Sequence, residues 1–210
     1  MKLLILGATG GTGKHLLEQA LAAEHDVTAV VRDPGAVTTS HPKLTVVKGQ
    51  ATQADDLKRA MAGQEAVLSA LGPRAKADPI CADAAEAVAQ AMKEHGVQRV
   101  IWLSAGGVGD SKGSIVDASF VFGRIIMPLF LAKPYANHAR AEETLRASGL
   151  EYTVVRPLQL VDKPTGNAIV AIPPDGRVSG LKIARADVAK FMLQELTARA
   201  YVRQMPIVFT

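Results

Sequence analysis

Short apolar segments alternate with longer amphipathic segments along most of the chain, and this alternation predicts strands separated by helices. Strands are predicted at residues 2–6, 27–31, 44–48, 66–70, 100–103 and 152–155. Helices are predicted at residues 12–23, 54–61, 79–95, 137–147 and 187–196. Apolar strands that are each followed by a helix are typical of a parallel sheet covered by helices on both faces. The pattern therefore predicts an α/β fold with a doubly wound parallel sheet.

The chain contains no internal repeat and no linker rich in proline, glycine or serine that would separate two folding units. Its 210 residues are enough for one well-buried core, and nearly half of them are hydrophobic. We therefore expect residues 1–210 to form a single domain. After the sixth predicted strand the pattern becomes irregular, and the sequence Pro-Pro-Asp-Gly at residues 173–176 predicts a turn.

The first strand is followed by the sequence GATGGTGKH at residues 7–15, in which Gly7, Gly10 and Gly13 are spaced by three residues. A triphosphate-binding loop requires glycine where this chain has Ala8, and serine or threonine where it has His15. A histidine cannot replace that magnesium-binding hydroxyl, so a triphosphate loop is excluded. Three glycines between a first strand and a first helix are typical of a dinucleotide-binding loop, which makes the predicted fold a Rossmann-type domain.

The second strand ends in Val31-Arg32-Asp33, about twenty residues beyond the loop. An acid at this place binds the ribose hydroxyls of NAD, whereas an arginine accommodates the 2′-phosphate of NADP. Arg32 comes first and offers a planar fork that matches phosphate geometry. We therefore expect NADP(H) to be preferred over NAD(H). The alternative is that both residues are solvated turn charges.

The charge and composition of the chain indicate which binding partners and compartments to expect. The net charge of +4 is spread along the chain without a basic stripe, so we expect no nucleic-acid partner. The most apolar stretch, residues 115–132, is interrupted by Asp117, Arg124 and Pro128, and we expect no membrane span. Cys81 is the single cysteine, which favours a reducing cytoplasm. The five histidines show no metal-ligand spacing, so no metal site is predicted.

With these motifs in place, the chain resembles the atypical short-chain dehydrogenase/reductases with NAD(P)-binding, NmrA-like domains. Within that group it is most similar to the flavin reductase/biliverdin-IXβ reductase family. The resemblance covers almost the whole chain. The blocks that carry it are GATGGTG at 7–13, VRD at 31–33, SALG at 69–72, WLSA at 102–105, AEETLRASGLEYTVVRP at 141–157 and ARADVAKFML at 184–193.

The resemblance implies a role for residues at the carboxyl end of each predicted strand. The pyrophosphate would be held by Gly7, Thr9, Gly10, Gly11, Thr12 and Gly13, and the ribose phosphate by Arg32, with Asp33 beside it. Leu71, Gly72 and Arg74 would lie by the cofactor, Ser104 and Ala105 beside the nicotinamide, and Pro157 at the far wall. These positions agree with the general rule that ligands bind outside the carboxyl ends of parallel strands.

The usual catalytic pair of short-chain dehydrogenases is missing. Residues four positions after Tyr135, Tyr152 and Tyr201 are alanine, arginine and methionine, so no Tyr-x-x-x-Lys pair exists. His138 occupies the place of the lysine in related proteins. A ketone or alcohol dehydrogenase of the usual kind is therefore disfavoured. A nicotinamide cofactor can still supply hydride, and a delocalised acceptor can take its proton from solvent.

We therefore predict an NADPH-dependent reductase that acts on a flavin, quinone, linear tetrapyrrole or similar conjugated acceptor. Ser104 would orient the acceptor or the carboxamide. His138, with an ordinary pKa near neutral, would assist protonation; the alternative, which is the more common case, is a histidine that is packed on a helix face. The acceptor side is expected to comprise about 106–135 and 157–182, with Phe120 and Gln159 as substrate residues. Biliverdin-IXβ reductases carry a histidine where this chain has Gln159, which leaves the acceptor open.

Two other functions remain open at this point. The missing Tyr-Lys pair also fits a non-catalytic, NmrA-like regulatory protein that senses NADP(H) and binds a protein partner. A sugar-nucleotide or isomerase function would need a substrate domain for which 210 residues leave little room. For the reductase we expect a monomer or a weak homodimer.

Overall fold

The computed structural model of the chain describes residues 1–72, 79–111, 113, 132–164, 166–176, 178 and 180–210. The strands are β1 (Lys2–Leu6), β2 (Asp26–Val31), β3 (Leu44–Lys48), β4 (Ala66–Ser69), β5 (Arg99–Leu103), β6 (Glu151–Pro157), β7 (Gln159–Val161), β8 (Val170–Ile172), β9 (Lys182–Ala184) and β10 (Ile207–Phe209). The helices are α1 (Gly11–Ala22), α2 (Ala54–Met61), α3 (Cys81–His95), α4 (Ala132–Ala147) and α5 (Arg185–Ala198).

Eight strands form one mostly parallel sheet in the order β3-β2-β1-β4-β5-β6-β10-β8. All neighbours from β3 to β10 pair in parallel, and β8 adds an antiparallel edge next to β10. β7 and β9 form a separate two-stranded parallel sheet. The chain therefore builds outward from β1 in one direction through β3, and then in the other direction from β4. The predicted Rossmann-type, doubly wound α/β fold is confirmed.

Hydrophobic side chains cover both faces of this sheet. Successive residues of a strand point to opposite faces, so Leu3 and Ile5 pack on one side with α1 and α5, while Leu4 and Leu6 pack on the other with α2 and α3. Trp102 on β5 is fully buried in the second of these layers. Because the central strands are buried on both faces, they carry continuous apolar runs without polar alternation.

The six predicted strands all form, and the helix boundaries differ by a few residues. α3 begins at Cys81, two residues after the predicted start, and α4 already includes Ala132, five residues before its predicted start. The four strands β7 to β10 were not predicted. Each has three residues, too few for a periodic pattern, and each is defined by pairing with a distant segment. The described helices include none that is both long and apolar enough to cross a membrane.

Candidate cofactor and active site

The glycine loop forms a tight turn between β1 and α1. The amide of Gly10 donates a hydrogen bond to the carbonyl of Gly7 at 2.9 Å. Gly7 has a φ of +78°, and a Cβ there would lie 2.7 Å from the carbonyl oxygen of Ala70 on the next strand. A Cβ on Gly13 would lie 1.9 Å from the carbonyl oxygen of Gly7. Both positions therefore require glycine, one for its backbone conformation and both for the close approach of α1 to the sheet.

The amino-terminal end of α1 faces this turn without a competing anion. Its N-cap is Gly10, which offers no side-chain cap, and its first turn carries no acidic residue. The free amide groups and the positive end of the helix dipole are therefore available to a phosphate. This arrangement fits the pyrophosphate of a dinucleotide.

A cleft of about 380 Å³ opens beside the loop, at the point where the strand order reverses between β1 and β4. Ligands of open α/β sheets bind at such a point. The residues that line the cleft are Gly7, Thr9, Gly10, Gly11, Thr12, Val30, Val31, Arg32, Gly49, Ala51, Ala70, Leu71, Gly72, Ile80, Leu103, Leu160 and Arg185. Eight of the predicted cofactor-binding residues are among them: Gly7, Thr9, Gly10, Gly11, Thr12, Arg32, Leu71 and Gly72.

Arg32 and Asp33 are both exposed at the end of β2, but they face different surroundings. Arg32 lines the main cleft and a smaller adjoining one of about 360 Å³, which also contains Lys48. The carboxylate of Asp33 instead accepts a hydrogen bond from the amide of Gly35 at 3.0 Å and caps the short turn that follows. Arg32 is therefore the residue of this pair that is presented to a ligand, and Lys48 places a second cation nearby.

Ser104 follows β5 and is held by a buried charged network. Its hydroxyl donates to Glu142 on α4 at 2.6 Å, and its amide donates to the carbonyl of Val155 at 2.8 Å. Both oxygens of Glu142 accept hydrogen bonds from Arg156, at 3.0 Å and 2.7 Å. Arg156 is fully buried and also pairs with Asp110 at 2.5 Å. Burial lowers the pKa of Arg156, but hydrogen bonds and charges of Glu142 and Asp110 outweigh it, so the net shift is upward.

His138 lies one helical turn before Glu142 on the same face of α4. Its side chain is buried, and its Nδ1 has no hydrogen-bond partner among the described residues. Burial lowers the pKa of His138 to about 4. The expectation that this histidine titrates near neutral pH was wrong, because the sequence does not show that the ring is withdrawn from water. At neutral pH the ring is uncharged and can donate only one hydrogen bond.

The remaining predicted site residues fall into three groups. Gly13, Asp33, Ser104, Ala105 and Pro157 do not line the cleft, although Ala105 and Pro157 lie near it at the carboxyl ends of β5 and β6. Gln159 is exposed on β7. Arg74 and Phe120 lie outside the described residues, as do parts of the expected acceptor side.

Sequence analysis missed Arg185, Arg156 and the partnership of Glu142 with Ser104. Arg185 stands inside the ARADVAKFML block, but no spacing in the sequence connects it to the glycine loop. Arg156 and Ser104 are about fifty residues apart and meet only because β5 and β6 are neighbours. The arginine near the end of the apolar strand β6 is a signal in the sequence, because a buried guanidinium group requires an acid beside it.

Two other chemistries find no support in the described part of the chain. No group of three or more His, Cys, Asp or Glu residues among the described residues is arranged to hold a metal ion. Cys81 is buried at the start of α3, and burial raises the pKa of its thiol to about 12. A thiol that stays protonated is a poor nucleophile.

A glycine loop at the switch point of a mostly parallel sheet defines a Rossmann-type, NAD(P)-binding protein. The sequence pattern of the NAD(P)H-binding family matches residues 7–199, and the chain belongs to this family. The resemblance to atypical short-chain dehydrogenase/reductases is confirmed at this level. A relative in Arabidopsis thaliana, described as an uncharacterized chloroplastic protein, is 32% identical over 207 residues, which are 93% of this chain and 71% of the relative.

Solved structures share the whole fold. ChuY, described as an anaerobillin reductase from Escherichia coli O157:H7, is 26% identical with a TM-score of 0.81, over 100% of this chain and 97% of ChuY. A short-chain dehydrogenase/reductase from Veillonella parvula DSM 2008, solved in complex with NADP, is 21% identical with a TM-score of 0.81, over 100% of this chain and 94% of that protein. The second likeness establishes the fold alone.

Proposed function

We propose that this protein is an NADPH-dependent reductase that transfers hydride to a flavin or a similar conjugated acceptor. The observation that carries the proposal is the course of the cleft. It runs from Arg32 past the glycine loop to Leu103, and Ser104 follows directly at the carboxyl end of β5. A dinucleotide with its phosphates at the loop would thus have one end at a cation and the other beside an oriented hydroxyl.

The surroundings of Arg32 support NADPH over NADH. The guanidinium group lines the cleft, whereas the carboxylate of Asp33, the group that would bind a ribose diol, is engaged with the amide of Gly35. Lys48 adds positive charge to the smaller cleft beside Arg32, and Asp56, the acid that also lines that cleft, is paired with Arg59. A 2′-phosphate carries two negative charges or nearly so, and two nearby cations favour it over a hydroxyl.

The protein itself binds the cofactor, orients the reacting groups and excludes competing reactions. When bound, the nicotinamide cofactor supplies a hydride, which the protein itself cannot. The Ser104 hydroxyl donates a hydrogen bond to Glu142. The lone pairs of its oxygen can then accept a hydrogen bond from a carboxamide or from the acceptor. Arg156 donates to both carboxylate oxygens of Glu142 and so fixes the carboxylate in place, and this holds the Ser104 hydroxyl in one orientation.

The proton that accompanies the hydride comes from water in this proposal. His138 is uncharged at neutral pH because burial lowers its pKa to about 4, so it is not the proton reservoir. It serves as a neutral hydrogen-bonding group or as a buried packing residue of α4. This division of labour suits a conjugated acceptor, which spreads the arriving charge and needs no dedicated acid. That ChuY, at 26% identity, is described as an anaerobillin reductase supports a reductase of this kind.

The test is an acceptor panel. NADPH oxidation is followed spectroscopically under anaerobic conditions with FMN, riboflavin, quinones and biliverdin offered in turn. We expect catalysed turnover of at least one acceptor, a large loss of kcat in Ser104→Ala, and no loss in Ser148→Ala. Ser148 is the matched control because its hydroxyl lies after the carboxyl-terminal end of α4 and, among the described residues, bonds to Leu145 and Leu150 alone. Tight NADPH binding with no turnover across the panel would favour the NADP(H)-sensing alternative and reject the reductase.

We extend the proposal to a cytoplasmic protein that acts as a monomer or a weak homodimer. The single buried cysteine supports a reducing compartment. The Arabidopsis thaliana relative is described as chloroplastic. A cytoplasmic location for this chain would therefore place the two proteins in different compartments. Fractionation and sedimentation of the native protein test both statements.

A further inference from the structure

The last helix of the fold brings a second arginine to the cofactor loop. α5 begins with Arg185 directly after β9, and its first turn lies beside α1, where Gln19 donates a side-chain hydrogen bond to the carbonyl of Ala186 at 3.0 Å. The Arg185 side chain crosses the loop at Gly11. A Cβ on Gly11 would lie 2.8 Å from both Cδ and Nε of Arg185. The arginine therefore rests directly on the segment that fits the pyrophosphate.

Charge in the cleft is distributed in a way that favours phosphates. Among the described residues that line it, Arg32 and Arg185 are the only charged ones, and none is a carboxylate. Arg32 lies at the end of β2, where the 2′-phosphate is expected, and Arg185 lies at the loop. The two cations thus mark two separate places along the cleft. The first turn of α5 carries the acid Asp187, unlike that of α1, so the positive group that this helix brings to the loop is the Arg185 side chain and not the helix dipole.

Arg185 is tied to a single acid among the described residues. Its Nη1 pairs with Oδ1 of Asp162 at 2.5 Å. Asp162 is 87% exposed and Arg185 only 28% exposed. A carboxylate so open to water holds its partner weakly, since exposed ion pairs contribute about 0–1 kcal/mol. A buried or half-buried pyrophosphate that offers several oxygens at once is a stronger partner for a guanidinium group.

We propose that Arg185 is a pyrophosphate ligand of the cofactor and that Asp162 is an internal anion competing for it. This inference rests on the proposed cofactor site, not on hydride transfer. Cofactor binding exchanges the Asp162 carboxylate for the pyrophosphate at Arg185. Asp162 directly follows β7, and Arg185 directly follows β9, its paired strand. Cofactor binding therefore breaks the ion pair between Asp162 and Arg185 that joins the carboxyl ends of β7 and β9. The ion pair forms again when the cofactor dissociates.

The exchange is tested by NADPH and NADH affinities, measured by isothermal titration calorimetry on Arg185→Gln, Asp162→Asn and the double variant. Arg185→Gln should weaken both cofactors by the same factor, about tenfold or more, because the pyrophosphate is common to them. Asp162→Asn should tighten both by roughly 1.5- to 5-fold, the size of an exposed ion pair. In the double variant the Asp162→Asn gain should vanish.

A matched control separates competition from general charge. Asp175→Asn removes the same charge from an exposed turn, and we expect it to leave both affinities unchanged. Wild-type affinity in Arg185→Gln overturns the ligand role. No gain in Asp162→Asn, or an equal gain in the Arg185→Gln background, overturns the competition. Because binding is the readout, these results are independent of the acceptor panel, whose failure would reject the reductase and leave this exchange intact.

Discussion

At the scale of single residues, the most consequential arrangement is the buried pair of Glu142 and Arg156. Removing two charges from water is costly, and the pair persists because each oxygen of the acid meets a guanidinium N–H. The same acid also fixes the hydroxyl of Ser104. Both the stability of the fold and the orientation of Ser104 at the expected nicotinamide site therefore depend on the carboxylate of Glu142.

Neutralising that carboxylate should be expensive. Glu142→Gln leaves Arg156 buried with Asp110 as its one charged partner among the described residues, and we expect the free energy of unfolding to fall by about 3–5 kcal/mol. Chemical denaturation measures this. The control is Glu143→Gln, the next residue, whose side chain is 72% exposed and 3.9 Å from Arg146. It should change stability by less than about 0.5 kcal/mol. Equal losses in the two variants would contradict the assigned network.

Burial of His138 predicts a specific dependence of stability on pH. The folded chain keeps the ring neutral down to its pKa of about 4, while the unfolded chain takes up a proton near 6.5. Stability contributed by the neutral ring is therefore present above pH 6.5 and lost as pH falls towards 4. The loss amounts to at most about 3 kcal/mol.

The measurement is the unfolding free energy of wild type and His138→Gln as a function of pH. Both proteins share every other titrating group, so their difference isolates the ring. We expect the difference between the two curves to change by up to about 3 kcal/mol between pH 6.5 and 4, with wild type losing more. Parallel curves would show that His138 is accessible to protons in the folded state.

At the scale of elements, the β1–α1 turn is the most sharply determined segment. Gly13→Ala would place a Cβ 1.9 Å from the carbonyl oxygen of Gly7, against backbone that cannot move without displacing α1. We expect a loss of at least about 1–3 kcal/mol in unfolding free energy together with loss of cofactor binding. Gly72→Ala, where a Cβ meets no atom of the described residues within 4 Å, should leave stability unchanged. Thermal unfolding of the two variants decides between these outcomes.

The elements also show how far the sequence determines the fold. The central strands β1, β4 and β5 were predictable because each is a short, mostly apolar run buried on both faces, and the edge strand β3 was predictable from its β-branched residues although it is only partly buried. β8 and β10 were not, since their three residues become strands only by pairing with each other and with β6. Local pattern is enough when burial alone defines a strand, and it fails when a distant partner defines it.

The same distinction holds for the candidate site. Gly7 and Arg32, which line the cleft, could be predicted because the loop and the end of β2 are defined by spacing within forty residues. Arg185 and Arg156 were missed because they reach the site through the packing of α5 on α1 and of β6 on β5. The charge state of His138 was misjudged for a related reason, since burial is set by the assembled fold.

At the scale of the whole molecule, the features expected of a cofactor site lie together at the carboxyl ends of the sheet strands. The carboxyl ends of β1, β2, β4 and β5 supply the loop, Arg32, Leu71 and Leu103, and the helix α5 adds Arg185. The amino-terminal ends of the strands carry another buried ion pair, Arg99 with Glu195 at 3.1 Å, and none of the described residues that line the cleft. This distribution agrees with the general rule that ligands of open α/β sheets bind outside the carboxyl ends of the strands.

The most direct test of this account is kcat/KM for NADPH and for NADH, measured with one productive acceptor in wild type, Arg32→Ala and Arg140→Ala. Arg140 is a 65% exposed arginine on α4 and controls for the change in net charge. We predict that wild type prefers NADPH. Arg32→Ala should lose about 10- to 150-fold for NADPH, from about 1.5–3 kcal/mol of charged hydrogen bonding, and almost nothing for NADH. Equal losses for the two cofactors, or a wild type that prefers NADH, would contradict the account.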